Sequence, residues 1–302
     1  MKSIQVPCSA IAQKLGLSCD VFLKREDQHK YGSHKGRSIP IMIKKYFKEE
    51  GITNFVISSS GNAALAAINA IQVHNRNNPS KLKLTVFIGK KIDPKKLKVL
   101  LAVIDDANIK LEQVERPKQT AFQVNKDNKA KLLRQSTDDN ALTGYFELAQ
   151  ELDKIPNLQA IFVPTSSGTT AQALGEAFQT EFLTQKPQIH IVQTNSCHPM
   201  AEYFQPDYLK NHPYAKAEKS LAGAIVDNIA FRKEKVIKAV ETSQGSGWIV
   251  DNEDIKEAIE LSKDGCHLAI SPNSALSIAG LKKAVENGYK FTGNVVCLIT
   301  GM

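Results

Sequence analysis

Three short segments of this 302-residue chain combine nucleophilic, hydroxyl and backbone groups in arrangements that can do chemistry. The first runs from Lys24-Arg25-Glu26-Asp27 into Gly32-Ser33-His34-Lys35-Gly36-Arg37, and the apolar residues Ile39, Ile41, Ile43 and Tyr46 predict a helix behind it. A lysine at a helix N-terminus meets the positive end of the dipole, which disfavours the ammonium form and keeps the amine available as a nucleophile. The second segment, Ser58-Ser59-Ser60-Gly61-Asn62-Ala63-Ala64, joins a strand-like run to an alanine-rich helix. Its hydroxyls, glycine and free helical N–H groups make a compact cradle suited to a carboxylate. The third, Val163-Pro164-Thr165-Ser166-Ser167-Gly168-Thr169-Thr170, is again a strand-to-helix junction, crowded with donors able to hold a phosphate. Taken singly, each also has an ordinary reading: a solvated lysine, a helix cap at Ser60 or Asn62, a hydroxyl-rich turn.

The elements around these segments say where such loops belong. Short β-branched runs at 21–24, 54–58, 84–88, 109–114, 160–163, 189–193 and 294–299 read as strands. Between them lie helical patterns at 35–50, 61–75, 94–104, 117–134, 142–153, 168–183, 252–263 and 272–287, several opening on start signals such as Pro94 behind Asp93 and Pro272 behind Ser271. This alternation predicts an α/β fold of mostly parallel, twisted sheets flanked by helices. In such sheets ligands bind in the loops past the carboxyl ends of the strands, where helix N-termini point inward. The stretch 197–247 mixes Pro, Gly, His and Tyr and carries no clear periodicity.

Composition narrows the function classes. With 42% hydrophobic and 23% charged residues the chain has the balance of an ordinary globular protein. No apolar run approaches the roughly 18 residues of a membrane span, and the N-terminus lacks a secretory leader pattern, so a cytoplasmic location and no membrane partner are expected. The net charge of +8 comes from dispersed basic residues, which argues against nucleic acid and leaves attraction of small anions open. The five cysteines stand singly, with no C-x-x-C pair. Neither a zinc site nor a disulfide framework is expected, and the thiols read as reduced.

In their order along the chain, the three loops resemble the tryptophan-synthase-β-like family of pyridoxal 5'-phosphate enzymes, fold type II. The resemblance rests on G-S-H-K-G-R, S-S-S-G-N and T-S-S-G-T-T followed by A-Q-A-L-G-E-A-F, and extends to L-T-G-Y-F-E-L-A-Q-E-L and D-G-C-H-L-A-I-S-P-N-S-A-L-S-I-A-G-L. It implies that Lys35 forms the Schiff base with the cofactor and carries the proton. Asn62 would bond the cofactor's 3'-oxygen, and Ser59, Ser60 and Gly61 would hold the substrate carboxylate. Thr165, Ser166, Ser167, Gly168 and Thr169 would bind the phosphate, and Thr300 would face the pyridine nitrogen. A neutral hydroxyl there implies elimination or replacement chemistry. The phosphate loop departs from the family pattern in keeping only Gly168 where relatives often have several glycines.

Two domains are expected: a larger cofactor-binding domain from 1–37 and 145–302, and a smaller one from 38–144. The motifs are most similar to those of threonine synthase and its relatives, acting on a small L-amino acid. Threonine or serine dehydratases and cysteine synthases are alternatives of the same chemistry, and a non-catalytic binding or regulatory subunit is an alternative of another class. A homodimer is what the resemblance implies.

Overall fold

A computed structural model of the chain describes residues 3–211 and 218–301. They divide into two compact units, one formed by Met1–Gln28 with Tyr145–Met302 and the other by His29–Gly144. The segment 29–37, expected with the larger domain, clusters with the smaller unit. The reason is local: Lys35–Glu50 is one continuous helix, and its buried face of Ile39, Met42, Ile43 and Tyr46 packs into the core of that unit.

The larger unit is built on a six-stranded sheet. Its strands are β1 (Gln5–Pro7), β2 (Val21–Arg25), β7 (Leu158–Pro164), β8 (Gln188–Thr194), β9 (Gly247–Val250) and β10 (Asn294–Ile299). Their order is β1-β2-β10-β7-β8-β9. Only β1 runs antiparallel, at the edge beside β2; the others pair in parallel. The central strands are buried on both faces, as a helix-covered parallel sheet requires, which is why Ala160-Ile161-Phe162-Val163 and Val295-Val296-Cys297-Leu298 are unbroken apolar runs. One core gathers Leu23, Phe162, Trp248 and Val295 with Ile255 and Leu276 from the helices Asn252–Cys266 and Pro272–Glu286. Both helices start on side-chain caps, Asp251 in a capping box and Ser271 ahead of Pro272.

The smaller unit carries a four-stranded parallel sheet of β3 (Asn54–Ser58), β4 (Lys83–Gly89), β5 (Ile109–Val114) and β6 (Lys131–Leu132), in the order β5-β4-β3-β6. Its core joins Phe55, Ile57, Leu84 and Val86 to the alanine-rich face of the helix Asn62–Asn77.

Every expected strand is present. The helix expected over 117–134 ends at Lys126, because Asn128 turns the backbone into the left-handed region and Lys131–Leu132 joins the sheet beside β3. Strands β1, β6 and β9 and the helices Ser9–Lys14, Pro206–Asn211 and Lys233–Thr242 add to the expected set. Among the described residues no helix is long and apolar enough to cross a membrane. The cysteines require a correction: Cys8 and Cys266 form a disulfide, with Cα atoms 5.8 Å apart. The two lie 258 residues apart in sequence, beyond the reach of any spacing motif. Cys19, Cys197 and Cys297 are free.

Candidate active site

In the smaller unit the site residues after β3 sit at one end of the sheet for a topological reason. The helix Asn62–Asn77 is the crossover between the parallel neighbours β3 and β4, so it starts at the carboxyl end of β3. The helix Lys35–Glu50 enters β3 through the short connection 51–53 and packs against the helix Asn62–Asn77. Lys35 is the first residue of its helix, half-buried rather than fully solvated. Ser59, Ser60 and Gly61 form the turn after β3, and Asn62 opens the next helix; all four are half-buried. The turn is internally tied by the Gly61 N–H, which donates to Ser59 Oγ at 3.3 Å. The helix Asn62–Asn77 has no side-chain cap at its N-terminus, an end that suits an anion; in the helix Lys35–Glu50 the Gly36 and Arg37 N–H groups donate to the Ser33 and His34 carbonyls at 3.0 and 3.1 Å.

In the larger unit β7 and β10 are parallel neighbours in the middle of the sheet, and open α/β sheets bind ligands outside the carboxyl ends of their strands. The register pairing Cys297 with Phe162, carried three residues further, sets Thr300 level with Thr165. The phosphate-loop candidates and Thr300 thus share one strand end.

The loop Thr165–Gly168 is held from several sides. Thr165 Oγ1 donates to the Val163 carbonyl at 2.7 Å, Ser167 and Thr169 hydroxyls lie 3.0 Å apart, and the Val226 N–H donates to Ser166 Oγ at 3.2 Å. Gly168 precedes the helix Thr169–Gln179, which has no side-chain cap. Its φ of 82° favours glycine, and a Cβ there would come within 2.5 Å of Val236 Cγ2. The single glycine therefore stands at the position where backbone and packing both demand one. Thr300 is buried, its hydroxyl 3.5 Å from that of Ser274. Ser271 and Ser274 hydroxyls each lie 2.7 Å from the Gly301 carbonyl.

Two buried polar atoms support the fit of a polar cofactor to these loops. Ser33 Oγ, two residues before Lys35, and Asn195 Oδ1, directly after β8, have no hydrogen-bond partner among the described residues. A buried orphan of this kind costs about 1–3 kcal/mol, and a polar group bound alongside relieves it. Phosphate oxygens suit the uncapped helix Thr169–Gln179 and its hydroxyl loop, so the residues present fit pyridoxal phosphate.

Some contributors were not legible in the sequence. Ser271 reads as a helix cap, but its reach to the chain next to Thr300 depends on the sheet. Lys24, the last residue of the expected strand 21–24, is 1% exposed and its Nζ lies 2.6 Å from Glu151 Oε2, bracing the strand next to β10. Arg25 makes a bidentate pair with Asp27, at 2.8 and 2.6 Å, and Arg37 is buried.

Comparison with known proteins agrees with this geometry. A family profile described as pyridoxal-phosphate dependent enzyme matches residues 4–301. Threonine synthase of Methanocaldococcus jannaschii is 26% identical over 97% of this chain and 72% of its own length. Among solved structures, a threonine deaminase isoform from Solanum lycopersicum has a TM-score of 0.77 at 19% identity, covering 100% of this chain and 79% of that one. A pyridoxal 5'-phosphate-dependent aspartate racemase has a TM-score of 0.78 at 18% identity, covering 100% of this chain and 90% of its own. With the profile matched along nearly its whole length, the chain belongs to the pyridoxal-phosphate dependent enzymes and has the fold type II architecture.

Proposed function

We propose that the chain eliminates or replaces a substituent at the β- or γ-carbon of a small L-amino acid, in the manner of threonine synthase. The observation that carries this reading is the Ser59-Ser60-Gly61 turn. It is half-buried, has open space where a Gly61 Cβ would point, and precedes an uncapped helix. Its hydroxyls and first-turn amides suit one carboxylate and leave room for a short side chain. The likeness to threonine synthase over 97% of the chain supports the same reading.

Pyridoxal phosphate, when bound, supplies the electron sink for removal of the α-proton. The protein's own groups do the rest. The Lys35 amine would hold the cofactor and move the proton, Asn62 would bond the 3'-oxygen, and Thr165, Ser166, Ser167, Gly168 and Thr169 would hold the phosphate. The Thr300 hydroxyl would meet the pyridine nitrogen without keeping a proton there, which would favour elimination and replacement.

A second reading, dehydration of threonine or serine, is favoured by one observation. Arg25 is committed to Asp27 and Arg37 is buried, so neither is poised to meet a phosphorylated side chain. The test is a panel of O-phosphohomoserine, threonine, serine and O-acetylserine, assayed for release of phosphate, keto acid and thiol adduct. Phosphate release with threonine formed supports the first reading, and keto acid from threonine or serine supports the second. No product from any of them, in protein holding the cofactor on Lys35, overturns the reaction class and leaves the cofactor assignment standing.

A further inference from the structure

The Cys8–Cys266 pair sits where a covalent bond acts on the strand end that carries Thr300. Cys8 is buried ahead of the helix Ser9–Lys14, and its N–H donates to the Val21 carbonyl at 2.8 Å, at the start of β2. Cys266 ends the helix Asn252–Cys266. The two helices meet at Gly265, where a Cβ would lie 2.7 Å from that of Ala10, a seam close enough for the cysteines to reach each other.

The chain beyond Cys266 leads to the site. His267 turns in the left-handed region at φ 51°. Leu268 is then fixed twice to the buried Ser262, whose carbonyl accepts the Leu268 N–H at 3.1 Å and whose hydroxyl donates to the Leu268 carbonyl at 2.9 Å. Ser271 comes next, capping the helix Pro272–Glu286 with its hydroxyl 2.7 Å from the Gly301 carbonyl. One short turn therefore separates the disulfide from the residue that holds the backbone beside Thr300.

The bond is also reachable. Access is from the Cys266 side, since Cys8 is buried in the core and Cys266 is only half-buried at its edge; a groove of about 690 Å³ on the same seam is lined up to Gly265, the residue before Cys266, and by neither cysteine. Accessible disulfides are the labile ones, while bonds sealed in a core resist exchange. We infer that Cys8–Cys266 is a reversible thiol–disulfide site, open to dithiol reductants, whose state sets the order of the 267–271 turn and of Thr300–Gly301. A thiolate of the reductant attacks the Cys266 sulfur, and Cys8 leaves as a thiolate that takes up a proton. The reductant's second thiol then attacks the mixed disulfide, releasing Cys266 as a thiol and leaving the reductant as its own disulfide.

The test uses the full chain loaded with pyridoxal phosphate, in an oxidised sample and in one treated with dithiothreitol. Alkylation after denaturation, read by mass, is expected to label three cysteines in the oxidised sample and five in the reduced one. Amide hydrogen exchange at 262–271 and 300–301 is expected to rise about tenfold or more on reduction, as local opening becomes easier, with exchange in β3 and β4 unchanged. The Cys8→Ser and Cys266→Ser variants are expected to match the reduced wild type. Five labelled cysteines without reductant would overturn the site. Three labelled cysteines after dithiothreitol would overturn its reversibility, and three rising to five with exchange unchanged would overturn its coupling to Thr300. If either variant fails to fold, the reduced wild-type protein still decides between these outcomes.

Discussion

The two loops proposed to take anions are built in opposite ways. The Ser59-Ser60-Gly61 turn of the smaller unit is half-buried and has nothing within 4 Å of a Gly61 Cβ. The Thr165–Gly168 loop of the larger unit is bonded to Val163 and Val226 and packed against Val236 and Met200. A cofactor that stays bound through every turnover is served by a cradle fixed before it arrives, and a substrate that comes and goes by a turn with space around it. The fixed loop leans on the doubly buried core of the larger sheet. The open turn rests on one strand and one helix.

The largest expected effect separates chemistry from both loops. Lys35→Ala is expected to lower turnover by at least roughly 1,000-fold, with the circular dichroism spectrum unchanged, since a half-buried first helical residue contributes little packing. Turnover near wild type would remove Lys35 from the mechanism.

The bracing of the larger unit is tested next. Lys24→Met leaves Glu151 without its 2.6 Å partner inside a buried site, and breaking such a pair costs about 3–5 kcal/mol. The check is the midpoint of thermal unfolding, expected to fall clearly. An unchanged midpoint would mean that the pair does not brace the strand.

Acid should loosen the same unit. Burial holds His190 well below the usual histidine range, at about 3, in a ring stack with Phe162 of β7 at 4.5 Å and with its Nδ1 accepting from Trp248 Nε1 at 3.1 Å. Above the unfolded value near 6.5 the ring is neutral in both states and costs nothing. Below it the unfolded chain takes up a proton that the folded chain refuses, so stability falls between about pH 6.5 and 3, by about 2 kcal/mol at pH 5. Unfolding midpoints at about pH 7.5 and 5 are expected to differ more in the wild type than in His190→Gln. Equal differences would show that another group sets the acid limit.

The contrast between fixed and open loops is sharpest in a pair of glycine substitutions. Gly168→Ala forces a side chain into the left-handed region and against Val236, costing about 2–4 kcal/mol and weakening cofactor retention. Gly61→Ala meets open space at a negative φ and is expected to shift stability by less than about 1 kcal/mol. Equal costs at the two glycines, read from unfolding midpoints, would break the distinction.

The sequence carried the fold where physics leaves a local trace. Strands buried on both faces must be apolar without interruption, so β7 and β10 were legible, as were helices opening on Asp93-Pro94 or Ser271-Pro272. Lys131–Leu132 is a strand of two residues and has too little pattern to show. The three candidate loops stood out because hydroxyls and glycine cluster in them, and the structure places each ahead of a helix. Hidden from view was whatever the chain joins across distance: Lys24 with Glu151, Cys8 with Cys266, and the hydroxyls of Ser271 and Ser274 with Gly301. Each pair is made by tertiary packing of elements distant in sequence, and no spacing rule encodes it.

The most direct test of Lys35 as the cofactor-holding residue is where pyridoxal phosphate attaches. The purified chain is loaded with the cofactor, its visible absorbance recorded, and the complex reduced with borohydride and mapped by peptide mass. The predicted result is a visible band lost on reduction and a single cofactor mass on the peptide that contains Lys35. The mass on another lysine, or no band and no labelled peptide, would contradict it.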